Sequence, residues 1–168
     1  HDMYATFMAK PHENEPGSSM HIHQSVLDNK TGKNIFAGKD GKPSKLFLNH
    51  IGGLQRYLAA ALPFCAPNVN SYRRLVPESD APTNVHWAID NRTVSLRVPS
   101  SNPVNLRVEN RVPGADANPY LAFAASLACG YLGMVERIKP SEAVTGSAYR
   151  YAHTLPINLD DALDKLNY

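Results

Sequence analysis

Cysteine, net charge and long hydrophobic runs are all scarce in this sequence. Only two of the 168 residues are cysteine, Cys65 and Cys129, and both lie in apolar surroundings, so we expect buried free thiols in a reducing compartment. A formal net charge of +2 is too small for the concentrated basic face that nucleic-acid binding requires. The chain opens without a cationic and then apolar leader. We therefore expect a cytoplasmic protein with no nucleic-acid partner.

The most apolar stretch, residues 120–135, is shorter than the roughly 20 residues that a bilayer-spanning helix needs. Asn118 can cap a helix that begins there, and Pro119 suits the first helical position, where its missing N–H costs nothing. A helix that is apolar all round must be covered on all sides. The stretch thus predicts a buried helix behind a sheet, and no membrane partner.

The remaining composition is that of a globular domain, with 43% hydrophobic and 19% charged residues. Apolar residues at helical spacing predict a helix over residues 46–62, with His50 on its polar side, and a strand is predicted over residues 6–9. Residues 27–45 contain two turn signals and five lysines, which predict a solvent-exposed hairpin. A last helix begins within residues 159–166.

Two histidines and a serine alternate with other residues over positions 20–25. In a strand, His21, His23 and Ser25 share one face, with about 7 Å from one to the next. Neutral imidazole is a common metal ligand and can also donate a hydrogen bond to a phosphate. The row is either an ordinary exposed strand face or a support for metal and nucleotide binding.

A second alternating row lies on a strand predicted over residues 106–112, where Arg107, Glu109 and Arg111 share one face. Residues 74–111 contain no lysine and five arginines, namely Arg74, Arg92, Arg97, Arg107 and Arg111. A solvent-exposed face would mix in lysine, whereas the planar guanidinium group suits two-pronged contact with carboxylates and phosphates. The row is either a salt-bridged solvent face or, as we favour, the wall of an anion and metal site.

The two rows together suggest one reaction class. His21 and Glu109 could share one divalent cation, Mg²⁺ or Mn²⁺, while the arginines neutralise a polyphosphate and anchor a carboxylate. Gly17 lies in a loop of small residues that could bind an anion, and Arg74 and Asp80 lie on a loop that could serve a carboxylate and an amine; plain surface loops remain the alternative. Metal, phosphate and carboxylate indicate phosphoryl transfer from ATP to a carboxylate, giving an acyl phosphate for a nucleophile.

Several short motifs occur in order along most of the chain. They are Lys10-Pro11, Gly17-Ser18, Met20-His21-x-His23-x-Ser25, the SYRRLVP run of residues 71–77, Asn91-Arg92, Arg107-x-Glu109-x-Arg111 and Ala117-Asn118-Pro119-Tyr120. As a set they resemble the catalytic domain of glutamine synthetases. The resemblance implies an α+β fold with a largely antiparallel curved sheet backed by helices.

The resemblance also implies roles for individual residues. His21 and Glu109 would bind the metal nearer the ATP phosphates. The nucleotide would contact His23, Ser25, Arg92, Arg97 and Arg107, and glutamate would contact Gly17, Arg74, Arg92 and Arg111. Asp80 stands where the family has a flap glutamate that closes the site and helps to deprotonate the incoming ammonium, and Arg92 would also stabilise the transferring group.

The implied activity is an ATP-dependent ligase that joins the γ-carboxylate of glutamate to ammonia or an amine through γ-glutamyl phosphate. The chain departs from the family pattern at Pro16, Ser19, Asp80 and Val104, which is closer to the branch that uses putrescine, other polyamines or alkylamines. The alternative is a non-catalytic relative that senses glutamate or an amine, or is structural.

The resemblance further implies that residues 1–168 are part of a catalytic domain. The N-terminal domain, the glutamates for a second metal and the final helices would lie outside this segment. The intact protein would be a ring-shaped homo-oligomer, a dodecamer. We therefore expect residues 1–168 alone to be inactive.

Overall fold

A computed structural model describes residues 2–167 of the chain, so His1 and Tyr168 lie outside the described residues. Helices and short strands alternate irregularly along the sequence, which confirms the α+β class. The strands are β1 (Ile22–Gln24), β2 (Trp87–Ile89), β3 (Leu96–Val98) and β4 (Val108–Asn110). The α-helices are α1 (Lys45–Tyr57), α2 (Leu62–Cys65), α3 (Val69–Tyr72), α4 (Pro119–Glu136) and α5 (Leu159–Leu166), and 3₁₀ turns occur at Pro103–Asn105 and Ala148–Arg150.

The four strands form one sheet in the order β1-β4-β3-β2. β4 pairs antiparallel with β1 and with β3, whereas β2 and β3 are parallel. The register places both His23 and Arg97 directly across from Glu109, one on each side. The sheet is therefore largely antiparallel, as expected, and Glu109 lies on a central strand.

Helix α1 begins where Ser44 caps its N-terminus, accepting a hydrogen bond from the Phe47 backbone N–H at 3.2 Å. Its buried face contributes Phe47, Ile51 and Leu54 to the main core. The helix predicted over residues 46–62 is too long, since α1 ends at Tyr57 and a turn leads into α2. Pro63 lies in the first turn of α2 because that position needs no N–H donor.

Helix α4 begins as predicted, with the Asn118 side chain accepting from the N–H groups of Tyr120 and Leu121. It packs against α1 through glycines: a Cβ on Gly53 would lie 2.5 Å from the Gly133 Cα. The two backbones therefore approach without side chains between them. None of the described helices is long and apolar enough to cross a membrane.

The prediction that α4 is covered on all sides is wrong for the described residues. Its small residues face α1 and the sheet, whereas its large side chains point outwards. The exposed ones include Tyr120, Phe123, Leu127, Tyr131 and Val135. The sequence does not separate these faces by polarity, because both are apolar and they differ only in side-chain size.

Three further predictions need correction. Residues 6–9 form no strand because they pair with no neighbouring strand. Residues 27–45 contain two isolated antiparallel bridges and tight turns in place of a regular hairpin, and Phe36 within them is fully buried. His50 is also buried, 1% exposed, because its ring packs 5.0 Å from the ring of Phe36. The predicted terminal helix is present as α5, and Cys65 and Cys129 are free and buried as expected.

Candidate active site

The Glu109 carboxylate is the centre of a charged cluster on the sheet. Its side chain is only 4% exposed, and its Oε1 atom lies 2.9 Å from His21 Nδ1 and 3.2 Å from Arg111 Nη1. Its Oε2 atom accepts a hydrogen bond from Arg97 Nη1 at 2.9 Å. Glu109 and Arg111 are therefore buried, whereas Arg107 in the same row is partly exposed.

Strand pairing explains why these side chains meet. His23 is the residue opposite Glu109, and His21, two residues earlier on the same face, reaches the carboxylate diagonally. His23 Nε2 lies 3.9 Å from Glu109 Oε1, and its Nδ1 accepts from Arg107 Nε at 3.2 Å. The period-2 prediction for both rows thus gives the observed side-chain placement.

Local charges and burial set the protonation of the central pair. Burial, reinforced by the Arg111 charge, lowers the pKa of His21 to about 4, so the imidazole is neutral near pH 7. Burial opposes ionisation of Glu109, but the hydrogen bond from Arg97 and the charge of Arg111 outweigh it and lower the pKa of the carboxyl. A neutral imidazole and a carboxylate are the forms that bind metals.

The pair fits two positions of a divalent-cation site. Octahedral Mg²⁺ or Mn²⁺ with bonds of about 2.1 Å has neighbouring ligands about 3.0 Å apart, close to the 2.9 Å between His21 Nδ1 and Glu109 Oε1. Within residues 2–167, no group of three or more His, Cys, Asp or Glu side chains could hold a metal ion. The described residues thus offer two ligands of such a cation, and the others would be substrate oxygens, water or further protein groups.

The arginines supply more positive charge than Glu109 balances. Arg97 also donates to the Asp90 carboxylate at 3.1 Å, and Arg111 Nη2 donates to the Asp80 carbonyl oxygen at 3.3 Å. The Nε atoms of Arg74, Arg97 and Arg111 are buried and have no hydrogen-bond partner among the described residues. These buried N–H donors without partners, together with the excess positive charge of the guanidinium groups, favour the binding of an anionic ligand.

Arg74 lies close enough to His21 and Arg111 for their charges to interact, and it contacts Gly17. A Cβ on Gly17 would lie 2.7 Å from Arg74 Cγ, so only glycine lets the loop approach this closely. Arg74 donates to the Val112 carbonyl oxygen at the end of the Arg–Glu–Arg row. Burial lowers the pKa of Arg74 to about 10, which leaves the guanidinium charged near neutral pH.

Three other predicted site residues have exposed side chains. Arg92 is exposed on the turn between β2 and β3, and Ser25 is exposed just after β1. The Asp80 side chain is also exposed, on a backbone with φ of 57°, while its carbonyl oxygen contacts Arg111. Of the three, Asp80 is the one whose backbone contacts the buried charges in the described part of the chain.

Sequence reasoning missed two residues of the cluster, Ser19 and Asp90. Ser19 Oγ lies 2.9 Å from His21 Nε2, and it continues the period-2 row by one step, so that spacing was a usable signal. Asp90 accepts from Arg97 and from the Ser100 N–H. Only the parallel pairing of β2 with β3 brings Asp90 there, and that pairing has no local signal.

Comparison with known proteins gives one family. Residues 1–168 match the family model described as "Glutamine synthetase, catalytic domain". The chain is 43% identical over 164 residues to gamma-glutamylputrescine synthetase PuuA of Escherichia coli (strain K12), covering 97% of this chain and 34% of that protein. It is 41% identical over 175 residues to glutamine synthetase of Pyrococcus abyssi (strain GE5 / Orsay), covering 99% of this chain and 39% of that protein.

A third relative is named for another amine. Glutamate–isopropylamine ligase of Pseudomonas sp is 41% identical over 167 residues, which cover 98% of this chain and 36% of that protein. The chain therefore spans somewhat more than a third of the length of the curated relatives it matches. The match over residues 1–168 and these three relatives show that the chain belongs to the glutamine synthetase family.

Proposed function

We propose that this chain is the part of an ATP-dependent glutamate ligase that binds the phosphates, one divalent cation and the glutamate carboxylates. The observation that carries the proposal is the buried Glu109 carboxylate held between His21 and two guanidinium groups. A structural domain has no need for a neutral imidazole and a carboxylate at metal-ligand spacing beside two guanidinium groups. The family names of the relatives support the same class of reaction.

In the proposed reaction, an oxygen of the glutamate γ-carboxylate attacks the γ-phosphorus of ATP and ADP leaves. The amine nitrogen then attacks the acyl carbon, phosphate leaves, and the amine gives up a proton. A cation held by His21 and Glu109 would supply Lewis-acid polarisation of the phosphoryl oxygens. Side chains of this chain would bind and orient the substrates.

The arginines would orient and neutralise the reacting anions. Arg97, Arg107 and the exposed Arg92 would contact the phosphates, and the charge of Arg92 would stabilise the transferring group. Arg74 and Arg111, with the close backbone of Gly17, would hold glutamate. These contacts would place the two reactants for in-line transfer.

The nucleophile would enter at the exposed side. His23 and Ser25 would contact the nucleotide from the β1 side of Glu109, opposite the β3 side that carries Arg97. Asp80 is exposed, and its carboxylate would accept the proton that the amine releases. Because two relatives are named for putrescine and isopropylamine, we propose that the physiological nucleophile is a primary amine.

Release of ADP by the full-length protein tests this proposal. The assay contains glutamate, ATP and Mg²⁺ or Mn²⁺ and compares ammonium, putrescine and isopropylamine as nucleophiles. We expect amine-dependent ADP release, with a higher kcat/KM for one of the amines than for ammonium. No turnover with any nucleophile would reject the ligase, whereas turnover with ammonium alone would reject only the amine assignment.

Variants at Glu109 and Glu142 link the activity to the site. E109Q keeps the side-chain shape but removes the charge, so we expect at least about a 100-fold loss in kcat. Glu142 is exposed and lies outside the cluster, so E142Q is the matched control and should retain activity. Equal activity of the two variants would show that the chemistry occurs elsewhere.

A further inference from the structure

Among the described residues, two side chains contact the imidazole nitrogens of His21. They are Glu109 and Ser19. Ser19 Oγ lies 2.9 Å from Nε2, while Glu109 Oε1 lies 2.9 Å from Nδ1 on the opposite edge of the ring. Both ring nitrogens therefore have a fixed partner. An imidazole held at both nitrogens has little freedom to rotate about its side-chain bonds.

The backbone around Ser19 is fixed on both sides. Ser19 forms an isolated antiparallel bridge with Gly114, the Met20 N–H donates to Pro113 O at 2.9 Å, and Ser18 O accepts from Ala115 N at 3.2 Å. The hydroxyl therefore sits on a strand-like segment rather than on a mobile loop. Its position relative to the ring is set by the main chain.

A hydroxyl suits this position because it can donate or accept a hydrogen bond. When Nδ1 carries the ring proton and faces Glu109, the hydroxyl donates to Nε2. When Nδ1 presents its lone pair, the proton is on Nε2, and the hydroxyl oxygen accepts a hydrogen bond from this N–H group. Alanine or glycine at position 19 could support neither arrangement.

We propose that Ser19 is a positioning residue that holds the His21 imidazole with Nδ1 directed towards the cation shared with Glu109. This inference rests on the proposed function, since it assumes that His21 binds a cation. The effect expected of such an outer hydrogen bond is a change in metal affinity of about 10-fold to 100-fold.

The test uses the full-length protein and two readouts. Calorimetric titration with Mn²⁺ alone measures the affinity of wild type, S19A, S19T and S18A. Ser18 is the matched control because it is the neighbouring serine, and its described hydrogen bonds, to Ala9 and Ala115, are made by its backbone. Nitrogen-15 spectra of the histidine rings, recorded without metal, report whether Nε2 of His21 is hydrogen-bonded.

We expect S19A to bind Mn²⁺ about 10-fold more weakly than wild type, with S19T and S18A remaining within a few fold of it. We also expect the Nε2 resonance of His21 to move in S19A and to stay in S19T and S18A. Rescue by threonine separates loss of the hydroxyl from general disturbance of the loop.

Other outcomes divide the two proposals. Unchanged Mn²⁺ affinity and an unchanged Nε2 resonance in S19A would overturn the role of Ser19 while leaving the ligase proposal intact. An equal loss of affinity in S18A would also overturn it, because the effect would then belong to the loop. A wild-type protein that binds no Mn²⁺ would overturn both this inference and the proposed cation site.

Discussion

At the scale of single residues, Glu109 carries the charge balance of the site. It is the only carboxylate that contacts both Arg97 and Arg111 among the described residues, and it is almost fully buried. Removing one partner of a buried ion pair leaves the other charge uncompensated, which costs more than the pair contributed. The Glu109 carboxylate therefore contributes both to the stability of the fold and to the proposed function.

Substitution of Glu109 by glutamine should destabilise the fold. The amide of the variant would direct a donor at one guanidinium group. Arg111 would lose the carboxylate that it contacts, and Arg97 would keep only its contact with Asp90. We expect E109Q to lower the free energy of unfolding by about 1–3 kcal/mol, measured by urea unfolding of the full-length protein at pH 7. E142Q is the exposed control, and an E109Q midpoint equal to that of E142Q would contradict the prediction.

The buried ring of His50 makes stability depend on pH. Neither ring nitrogen has a hydrogen-bond partner among the described residues, and burial lowers the pKa of His50 to about 4, against about 6.5 in an unfolded chain. Between these values the unfolded chain binds more protons, so stability falls as pH is lowered. The loss from this group alone amounts to about 3 kcal/mol between pH 7 and pH 4.

The variant H50L removes this titration while keeping an apolar side chain of similar size. From pH 7 to pH 4, we expect the unfolding free energy of wild type to decrease by about 3 kcal/mol more than that of H50L. His12 is exposed, so H12Q is the control and should follow the wild type. Parallel pH profiles for wild type and H50L would show that the His50 ring is not buried as described.

The residues themselves show how far sequence reasoning reaches. Alternation alone predicts that His21 and Glu109 each lie on the polar face of a strand. In the structure, His21 Nδ1 lies 2.9 Å from Glu109 Oε1. The helical spacing predicts that His50 lies on the polar, exposed side of its helix, whereas Phe36, distant in sequence, covers it. Burial that depends on a non-local partner leaves no trace in the local pattern.

At the scale of secondary structure, the packing of α1 against α4 depends on glycine. A Cβ on Gly53 would lie 2.2 Å from the Cys129 carbonyl oxygen and 2.5 Å from the Gly133 Cα, which are backbone atoms. A Cβ on Gly130 would lie 2.0 Å from His50 Cε1, which belongs to a side chain. The first clash can be relieved only by moving a helix, but the second can be relieved by changing one ring.

A double-mutant cycle distinguishes these two kinds of contact. We expect G53A and G130A each to cost about 1–3 kcal/mol in the free energy of unfolding. Adding H50A should reduce the cost of G130A, giving a coupling energy of about 0.5–3 kcal/mol, and should leave the cost of G53A unchanged. Equal coupling of H50A to both glycines would contradict the described crossing of α1 and α4.

The elements also differ in how well their patterns define them. The Asn118 cap before an apolar run and the helical apolar spacing from residue 46 are local signals, so the starts of α4 and α1 follow closely from sequence. The end of α1 does not, because the apolar spacing continues into the turn and α2 beyond Tyr57. The sheet order β1-β4-β3-β2 is equally hidden, since strands of three residues carry too little alternation to specify their neighbours.

At the scale of the whole molecule, the described chain provides an incomplete set of groups for the proposed chemistry. It offers two ligands to a divalent cation that takes six, and its longest helix exposes a row of large apolar side chains. It also spans only about a third of the length of the relatives it matches. The described residues do contain the five arginines of the lysine-free stretch, namely Arg74, Arg92, Arg97, Arg107 and Arg111.

This asymmetry predicts different behaviour for residues 1–168 alone and for the full-length protein. With only His21 and Glu109 as ligands, the segment should bind Mn²⁺ more weakly than the full-length protein and release no ADP above background with glutamate and any amine. Side-by-side calorimetry and ADP-release assays measure both, and circular dichroism shows whether the segment retains its helices. Because Arg74, Arg97 and Arg111 lie in the segment, a folded segment should still bind an ATP analogue weakly and in a salt-dependent manner. Turnover by the segment would mean that the two described ligands and the arginine cluster suffice for catalysis, and the dependence on further protein groups would then be wrong.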